Sequence, residues 1–264
     1  MTTDAARWYG RNFAAVHPAG RRQSFADGVA GLLDRIDCRL AENEADREAI
    51  FRLRYQAYLR EGAISPRLSK IFFDPYDDTD NVWLFGLYLD DALASSIRIH
   101  VASRKHPRFP SLDVFADLLQ PELDAGRVII DPTRFVTDRN LSRLHRGLPH
   151  LTLRLCWLAA EYFNAEHFLV AIRTEHQAFY RRTFQHRLIC SPRPYPLLAK
   201  PISLMTVYYP SVADDVHRRY PFFRSSFFER RMLFEGTTPT TFQSRLFSDF
   251  QTPKAEVVLM DRSH

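Results

Sequence analysis

The spacing of apolar positions changes between helix and strand along the chain, which predicts a mixed α/β fold. Over Glu44–Arg60, apolar residues recur three and four positions apart, as on one face of a helix that Asn43 caps. Two apolar runs follow, Val82–Leu89 and 92–103, split by the pair Asp90-Asp91. This pattern predicts two strands joined by a tight turn.

The second half of the chain alternates shorter elements. The predicted elements are a helix at 111–119, a strand at 127–137, a helix at 149–164, a strand at 167–173, a helix at 174–185 and a strand at 202–210. Thr174 is the expected cap of the last helix. Pro132 interrupts the strand at 127–137, and because proline donates no ladder hydrogen bond, we expect a kink or bulge there.

Composition narrows the class of protein. The chain has 264 residues, of which 45% are hydrophobic and 25% charged, enough for one large core with extensions at its ends. Three cysteines without a CxxC pair do not suit a disulfide framework or a zinc ribbon, which favours a reducing, cytoplasmic setting. No signal peptide is recognisable in the first thirty residues, and no apolar run has membrane-spanning length.

The chain is mildly basic, and one segment interleaves basic with aromatic residues. The net charge of +5 permits an acidic partner, but acids and bases alternate along the chain, which argues against nucleic-acid binding. Residues 220–234 interleave phenylalanines with arginines. We expect this segment to form an amphipathic cap on the core, with peripheral membrane contact as the alternative.

Four spaced motifs carry a family resemblance: Arg-Tyr-Gln-Ala-Tyr at 54–58, Phe-Asp-Pro-Tyr-Asp at 73–77, Ser-Ile-Arg-Ile at 96–99 and Asp-Pro-Thr-Arg-Phe at 131–135. In order and spacing they resemble the signature of acyl-homoserine-lactone synthases and of the related long-chain N-acyl amino acid synthases. The resemblance implies an α/β (α+β) GNAT-like acyltransferase fold with a mixed central sheet flanked by helices. It implies a core at 44–212, an N-terminal extension at 1–43 and a C-terminal extension at 213–264 that packs on the core.

The resemblance also implies a set of site residues. The implied catalytic residues are Asp131 and Arg134, and the implied substrate-binding residues are Arg54, Tyr58, Asp74, Asp77, Arg98 and Phe135. A second match, of residues 176–185 to the GNAT signature, puts Tyr180 at the tyrosine position and implies it as the third catalytic residue. Lactone synthases carry glutamate where this chain has Asp131 and a tryptophan just after the first helix, where this chain reads Leu-Arg-Glu-Gly-Ala-Ile. The missing tryptophan and the long tail after Pro210 favour N-acyl amino acid synthesis over lactone synthesis.

The phosphate-binding loop differs from that of a CoA-dependent GNAT enzyme. Such a loop needs several backbone N–H groups at a helix N-terminus, but here the loop has one glycine, Gly147, and a proline. The nearby Arg139, Arg143 and Arg146 suit a single phosphate of a phosphopantetheine arm and an acidic acyl carrier protein. The expected donor is therefore acyl-carrier-protein thioester, with acyl-CoA as the alternative, and no bound cofactor or metal is expected.

These residues suggest a mechanism for transfer of a fatty acyl group to the α-amine of an amino acid. Asp131 helps to deprotonate the amine, backbone N–H groups at 135–137 receive the oxyanion, and Tyr180 protonates the thiolate. The guanidinium groups of Arg54, Arg98 and Arg134 each offer paired N–H donors to a substrate carboxylate.

Other interpretations stay open. Arg98 and Arg134 are equally suited to pair with Asp74 and Asp77, which would pin the long loop, and to bind substrate. A lactone synthase would use S-adenosylmethionine, and a non-catalytic module would only bind an acyl carrier protein. Four histidines lack metal-ligand spacing and are expected at the surface or at helix caps: His150, His167, His176 and His186.

Overall fold

A computed structural model describes residues 24–195 and 198–235 as eight α-helices and seven strands. The helices are α1 Phe25–Leu33, α2 Glu44–Arg60, α3 Leu112–Asp124, α4 Arg139–Leu144, α5 Leu148–Tyr162, α6 Gln177–Phe184, α7 Tyr209–Arg219 and α8 Phe227–Phe234. Three short 3₁₀ turns join them, and the one at Pro75–Asp78 matters for the site.

The strands form one mixed sheet. They are β1 Ile36–Leu40, β2 Val82–Leu89, β3 Ala92–Ala102, β4 Ile129–Thr137, β5 His167–Ile172, β6 Arg187–Arg193 and β7 Ile202–Tyr208. Their order in the sheet is β1-β2-β3-β4-β5-β7-β6, and every neighbouring pair is antiparallel except β4 and β5. The mixed sheet flanked by helices confirms the predicted fold class.

Local sequence explains the elements that were predicted well. The Asn43 side chain accepts a hydrogen bond from the Asp46 N–H at 2.9 Å, so α2 begins where its cap predicts. Asp90 and Asp91 both have positive φ, 49° and 65°, as a two-residue hairpin turn between twisted strands requires. The predicted cap Thr174 makes no side-chain cap hydrogen bond, because a 3₁₀ turn at Thr174–His176 precedes α6.

Several elements were not predicted from sequence: α1, β1, α4, β6 and α7. Strand β1 lies in the predicted N-terminal extension and pairs with β2 along its whole length. At the other end, Phe222, Phe223 and Phe234 are buried against the core, whereas Phe227 and Phe228 on α8 are 64% and 52% exposed. Residues 220–234 thus form a cap whose inner aromatic residues pack on the core and whose outer ones are largely exposed, and residues 1–23 and 236–264 of the two predicted extensions lie outside the described residues.

Helices cover both faces of the sheet. Helix α5 packs on the face that carries Ile130 and Phe168 and forms the largest apolar cluster with it. Helix α3 packs on the opposite face against Ile129 and Leu169, and α2 lies on that face near Leu84. Because neighbouring residues of a strand point to opposite faces, alternate positions of β4 and β5 serve the two layers.

The centre of the sheet is irregular at β4. The register of β4 against β3 shifts between the pairs Arg98–Thr133 and Ser96–Val136, and Arg134 within this bulge has φ 55°. The sequence placed the irregularity at Pro132, but Pro132 keeps its place opposite Ile99 and the bulge falls two residues later. Pro132 has no N–H to donate, and it follows the end of the β4–β5 pairing, whose last pair is Ile130 and Phe168.

Candidate active site

A cleft of about 600 Å³ lies where β4 and β5 separate. The two strands pair at only two positions, Ile129–His167 and Ile130–Phe168, and then diverge. The cleft is lined by parts of α2 and the residues after it, by β4, β5, the start of α5, α6 and the segment before β7. A volume of this size holds a small ligand or the reactive end of a larger one.

The bulged part of β4 forms one wall of this cleft. Residues 132–137 all line it, and Thr133, Phe135 and Thr137 are half-buried there. Of the sequence-predicted site residues, the cleft brings together Tyr58, Arg134, Phe135, Tyr180 and Arg146.

The other predicted charged residues form a buried ion-pair network beside the cleft. The Asp74 carboxylate accepts hydrogen bonds from Arg98 Nη1 at 2.6 Å and from Arg134 Nε and Nη2 at 2.9 and 2.6 Å. The Asp77 carboxylate accepts a hydrogen bond from Arg54 Nη1 at 2.8 Å and lies 3.1 Å from Arg98. These contacts join the turn at Pro75–Asp78 to α2, β3 and β4.

Electrostatics holds the network charged. Burial alone raises the pKa of Asp77, but Arg54 and Arg98 outweigh it and hold the pKa well below its usual range. Burial likewise raises the pKa of Asp74, but the charges of Arg98 and Arg134 outweigh burial, so the pKa of Asp74 is lowered from its usual value. Because Arg54, Asp74, Asp77 and Arg98 are buried away from the residues that line the cleft, the structure gives them the loop-pinning contacts.

Asp131 is also buried beside the cleft rather than in its lining. Its carboxylate accepts hydrogen bonds from the Ser111 N–H at 3.1 Å and the Ser111 hydroxyl at 2.7 Å, which ties β4 to the start of α3. Burial raises the pKa of Asp131 to about 6, against the opposing effect of these hydrogen bonds.

Tyr180 projects from α6 to the cleft and is 5% exposed. Burial raises the pKa of its phenol, and the nearby Cys156 thiol raises it further. The phenol therefore stays protonated near neutral pH, which is the form that can donate a proton. In the sequence, the resemblance of residues 176–185 to the GNAT signature singled out this residue.

The start of α5 offers few backbone donors. The N–H groups of Leu148 and His150 bond to the carbonyls of His145 and Gly147, both at 3.0 Å, and that of Leu151 bonds to the Gly147 carbonyl at 3.1 Å. Pro149 has no N–H. The basic side chains here are exposed: Arg146 lines the cleft, and Arg139 and Arg143 lie on α4 outside its lining.

Sequence reasoning missed several polar residues of the cleft: Arg60, Glu61, Arg173 and Lys200. They come from the end of α2, the end of β5 and the segment before β7, so no local spacing connects them. Arg173 donates to Glu61 Oε2 at 2.6 Å, and this ion pair links the end of α2 to the end of β5.

Two histidines differ from the expectation of a surface or capping position. His186 is 2% exposed, and it packs edge-on against the rings of Phe168, Tyr180 and Phe184. His150 lines the cleft, and burial lowers its pKa to about 4. Both imidazoles are neutral near pH 7 and pack as aromatic rings, which explains their place in an apolar environment.

Within residues 24–195 and 198–235, no group of three or more histidine, cysteine or acidic side chains is placed to hold a metal ion. In the same part of the chain, no helix has the length and apolar character needed to cross a bilayer.

Comparisons with known proteins agree with this architecture. The family profile of N-acyl amino acid synthase FeeM matches residues 49–208. A search of curated protein sequences finds no match. Among solved structures, FeeM, an N-acyl amino acid synthase from uncultured soil microbes, aligns with a TM-score of 0.58 and 18% identity over 71% of this chain and 98% of that chain.

Two further solved structures align less closely. The CoA-dependent acyl-homoserine lactone synthase MesI aligns with a TM-score of 0.48 and 20% identity, over 73% of this chain and 97% of that chain. An acyl-CoA N-acyltransferase from Pseudomonas aeruginosa aligns with a TM-score of 0.44 and 16% identity, over 65% of this chain and 97% of that chain.

Proposed function

The chain belongs to the N-acyl amino acid synthase FeeM family and is an acyltransferase with the GNAT fold, and on this premise we propose its reaction. It transfers a fatty acyl group from an acyl-carrier-protein thioester to the α-amine of an amino acid. The product is a long-chain N-acyl amino acid.

The observation that carries this proposal is the cleft between β4 and β5. Two parallel strands that pair at only two positions leave a gap in the middle of the sheet, and the bulge at Arg134 widens the β4 wall. An extended thioester arm fits such a gap, with its carbonyl beside the backbone of β4. Apolar side chains from both strands line the gap, among them Phe135, Val170 and Ile172.

The proposed chemistry uses this wall and Tyr180. The amine nitrogen attacks the thioester carbonyl, and backbone N–H groups at 135–137 stabilise the oxyanion. The carbon–nitrogen bond forms, the carbon–sulfur bond breaks, and Tyr180 gives its proton to the departing thiolate. The buried phenol is protonated at neutral pH, so its proton is available when the thiolate develops, while burial, which raises its pKa, makes it a weaker acid than an exposed phenol.

Asp131 keeps a part in this proposal only through an intervening group. Its carboxylate is fully buried against Ser111 and does not line the cleft, so a proton from the acceptor amine reaches it through a chain of water molecules, not by direct contact. A pKa of about 6 leaves it ionised at neutral pH and able to accept a proton.

The start of α5 supports a carrier protein as donor. The N–H groups of residues 148, 150 and 151 are already bonded within the chain, and residue 149 is a proline, so a pyrophosphate finds no free backbone donors in this first turn. Side chains remain for a single phosphate, namely Arg146 in the cleft with Arg139 and Arg143 on α4. These exposed cations also suit the acidic surface of a carrier protein.

We also propose peripheral membrane contact by α8 in a cytoplasmic protein. Phe227, Phe228 and Met232 are exposed on this helix together with Arg231. Such a face suits an anionic bilayer, into which an N-acyl amino acid would partition. Co-sedimentation with phosphatidylglycerol vesicles should fall when Phe227→Ser and Met232→Ser are combined, and unchanged sedimentation contradicts the contact.

The function is tested with purified protein, acyl carrier protein loaded with a dodecanoyl chain, and a mixture of amino acids. Mass spectrometry should detect a new amide-linked acyl amino acid, formed by the wild type and strongly reduced in Tyr180→Phe. Replacing the carrier protein by dodecanoyl-CoA should raise the KM of the donor.

Each alternative predicts a different outcome of the same assay. Release of methylthioadenosine when S-adenosylmethionine is supplied would indicate a lactone synthase. Tight binding of the loaded carrier protein without any product would indicate a non-catalytic module.

A further inference from the structure

The residues that line the cleft come from both faces of the sheet, so the cleft spans the gap between β4 and β5. Its lining includes the start of α5, with Arg146 and Pro149, on one face. It also includes the end of α2, on the other face, together with Lys200 in the segment before β7. The Ala199 N–H donates to the Ala63 carbonyl at 3.3 Å, so these two segments are neighbours. The end of α2 and the Lys200 segment therefore form one opening, which we call the α2 opening.

Three cationic side chains line the α2 opening: Arg60, Arg173 and Lys200. Arg173 forms an ion pair with Glu61 at 2.6 Å and a second, longer one with Glu175 at 3.5 Å. Arg60 and Lys200 form no ion pair with any residue in the described part of the chain. An anionic ligand that enters here thus meets two cations whose charge is not already neutralised by an ion pair.

The arginines that sequence resemblance assigned to substrate binding are committed elsewhere. Arg54 and Arg98 are fully buried on Asp77 and Asp74. Arg134 reaches the cleft wall, but its Nε and Nη2 both donate to Asp74. Arg54 and Arg98 do not line the cleft, and Arg134 has only its Nη1 outside the contacts with Asp74, so the unpaired cations of the α2 opening are the better receptor for a carboxylate.

We infer that Arg60 and Lys200 form the receptor for the carboxylate of the acceptor amino acid, an assignment that rests on the proposed function. The phosphate of the donor arm then belongs at the opposite opening with Arg146, so each anionic group has its own cation. This arrangement places acceptor and donor on opposite faces of the sheet, with the reacting atoms meeting between β4 and β5. The receptor selects amines that carry a carboxylate over simple amines.

Direct binding tests this inference without turnover. The probes are N-dodecanoylglycine and its carboxamide, which differ only in the charge of the end group, and their affinities are measured by calorimetry. The wild type should bind the acid more tightly than the carboxamide. In Arg60→Gln combined with Lys200→Gln, this preference should fall about 10-fold or more, while affinity for the carboxamide stays the same.

Arg52→Gln is the matched control, because Arg52 lies on α2 outside the cleft lining and pairs with Glu48 on the same helix. This control should keep the wild-type preference. An unchanged preference in the double variant, or an equal loss of affinity for both probes, would overturn the inference.

Failure of the proposed function gives a different signature from failure of the receptor. A wild type that binds the acid selectively, and loses that selectivity in the double variant, supports the receptor even if it forms no acyl amino acid from any donor. Such a result would contradict the proposed reaction alone.

Discussion

The Nη1 atom of Arg98 lies 2.6 Å from Oδ1 of Asp74, and both side chains are almost fully buried. Asp74 stands before the turn at Pro75–Asp78, and Arg98 stands in the middle of β3. The same carboxylate holds Arg134 at the β4 bulge through its other oxygen. One buried aspartate thus fixes a surface loop, a central strand and the irregular wall of the cleft relative to each other.

Asp74→Asn should therefore destabilise the whole fold. It leaves three buried guanidinium groups, those of Arg54, Arg98 and Arg134, with Asp77 as the remaining carboxylate of the network. Breaking a buried pair in this way costs about 3–5 kcal/mol in the free energy of unfolding. Urea denaturation followed by fluorescence measures the change. Asp78→Asn is the control, because Asp78 pairs with Arg47 near the surface, where such a pair contributes about 0–1 kcal/mol.

Tyr180→Phe should reduce kcat for acyl transfer by about 100-fold or more and leave the KM of both substrates nearly unchanged. The phenol acts on the leaving thiolate, so its loss affects the chemical step and not binding. Steady-state kinetics with the loaded carrier protein measures the effect. Tyr209→Phe is a suitable control, since this buried hydroxyl on α7 has no hydrogen-bond partner in the described structure and lies outside the cleft lining. An equal loss in both variants would argue against a role in catalysis.

Stability should fall as the pH drops from 7 to 5. Burial lowers the pKa of His100, of His150 to about 4 and of His186 to about 3. Between about pH 6.5 and 4 the unfolded chain therefore binds more protons than the folded chain at these positions, and stability is lost on acidification. Asp131 and Asp78, whose pKa values burial raises, work in the opposite direction, but they are two groups against three histidines.

This pH dependence is checked by chemical denaturation at several pH values. His186→Phe keeps an aromatic ring among its aromatic neighbours and removes one titrating group. The slope of unfolding free energy against pH between 6 and 4 should then decrease by about 1 kcal/mol per pH unit. The same slope in wild type and variant would contradict the assignment of His186 as a buried neutral imidazole.

Gly147→Ala should loosen the contact between α1 and the start of α5. A Cβ atom at position 147 would lie 2.9 Å from Val29 Cγ2, and a β-branched side chain in a helix has little freedom to move away. We expect a loss of about 1–3 kcal/mol in thermal or chemical denaturation.

The control for this change is Gly28→Ala on α1, where an added Cβ meets nothing within 4 Å. Helix propensity then predicts a gain of about 0.5–1 kcal/mol. A destabilised Gly28→Ala variant, or a Gly147→Ala variant as stable as the wild type, would contradict the packing described for α1.

Local patterns in the sequence were sufficient for most of the fold. The Asn43 cap and the spacing along α2, the two aspartates of the β2–β3 turn and the apolar runs of the central strands all act between residues close in the chain. Weakly patterned elements escaped detection. Strand β6, for example, is mostly exposed and contains Pro192, so it lacks the alternation that marks a strand.

For the candidate site, sequence identified the types of residue but not their partners. The motifs brought forward Asp74, Arg98 and Arg134 together and left open whether they bind substrate or each other; the structure shows the ion pairs that join them. Arg60 and Lys200 belong to no motif, because they are 140 positions apart in the chain and meet only where α2 ends beside the segment before β7. The spacing of apolar residues, the helix caps and the tight turns are determined by residues close together in the chain. The pairing of buried charges and the lining of a cleft depend instead on how distant segments pack. The sequence by itself determined the elements around the cleft with strong patterns, the fold class and the family, and the tertiary structure alone decided which charges are neutralised and which face the cleft.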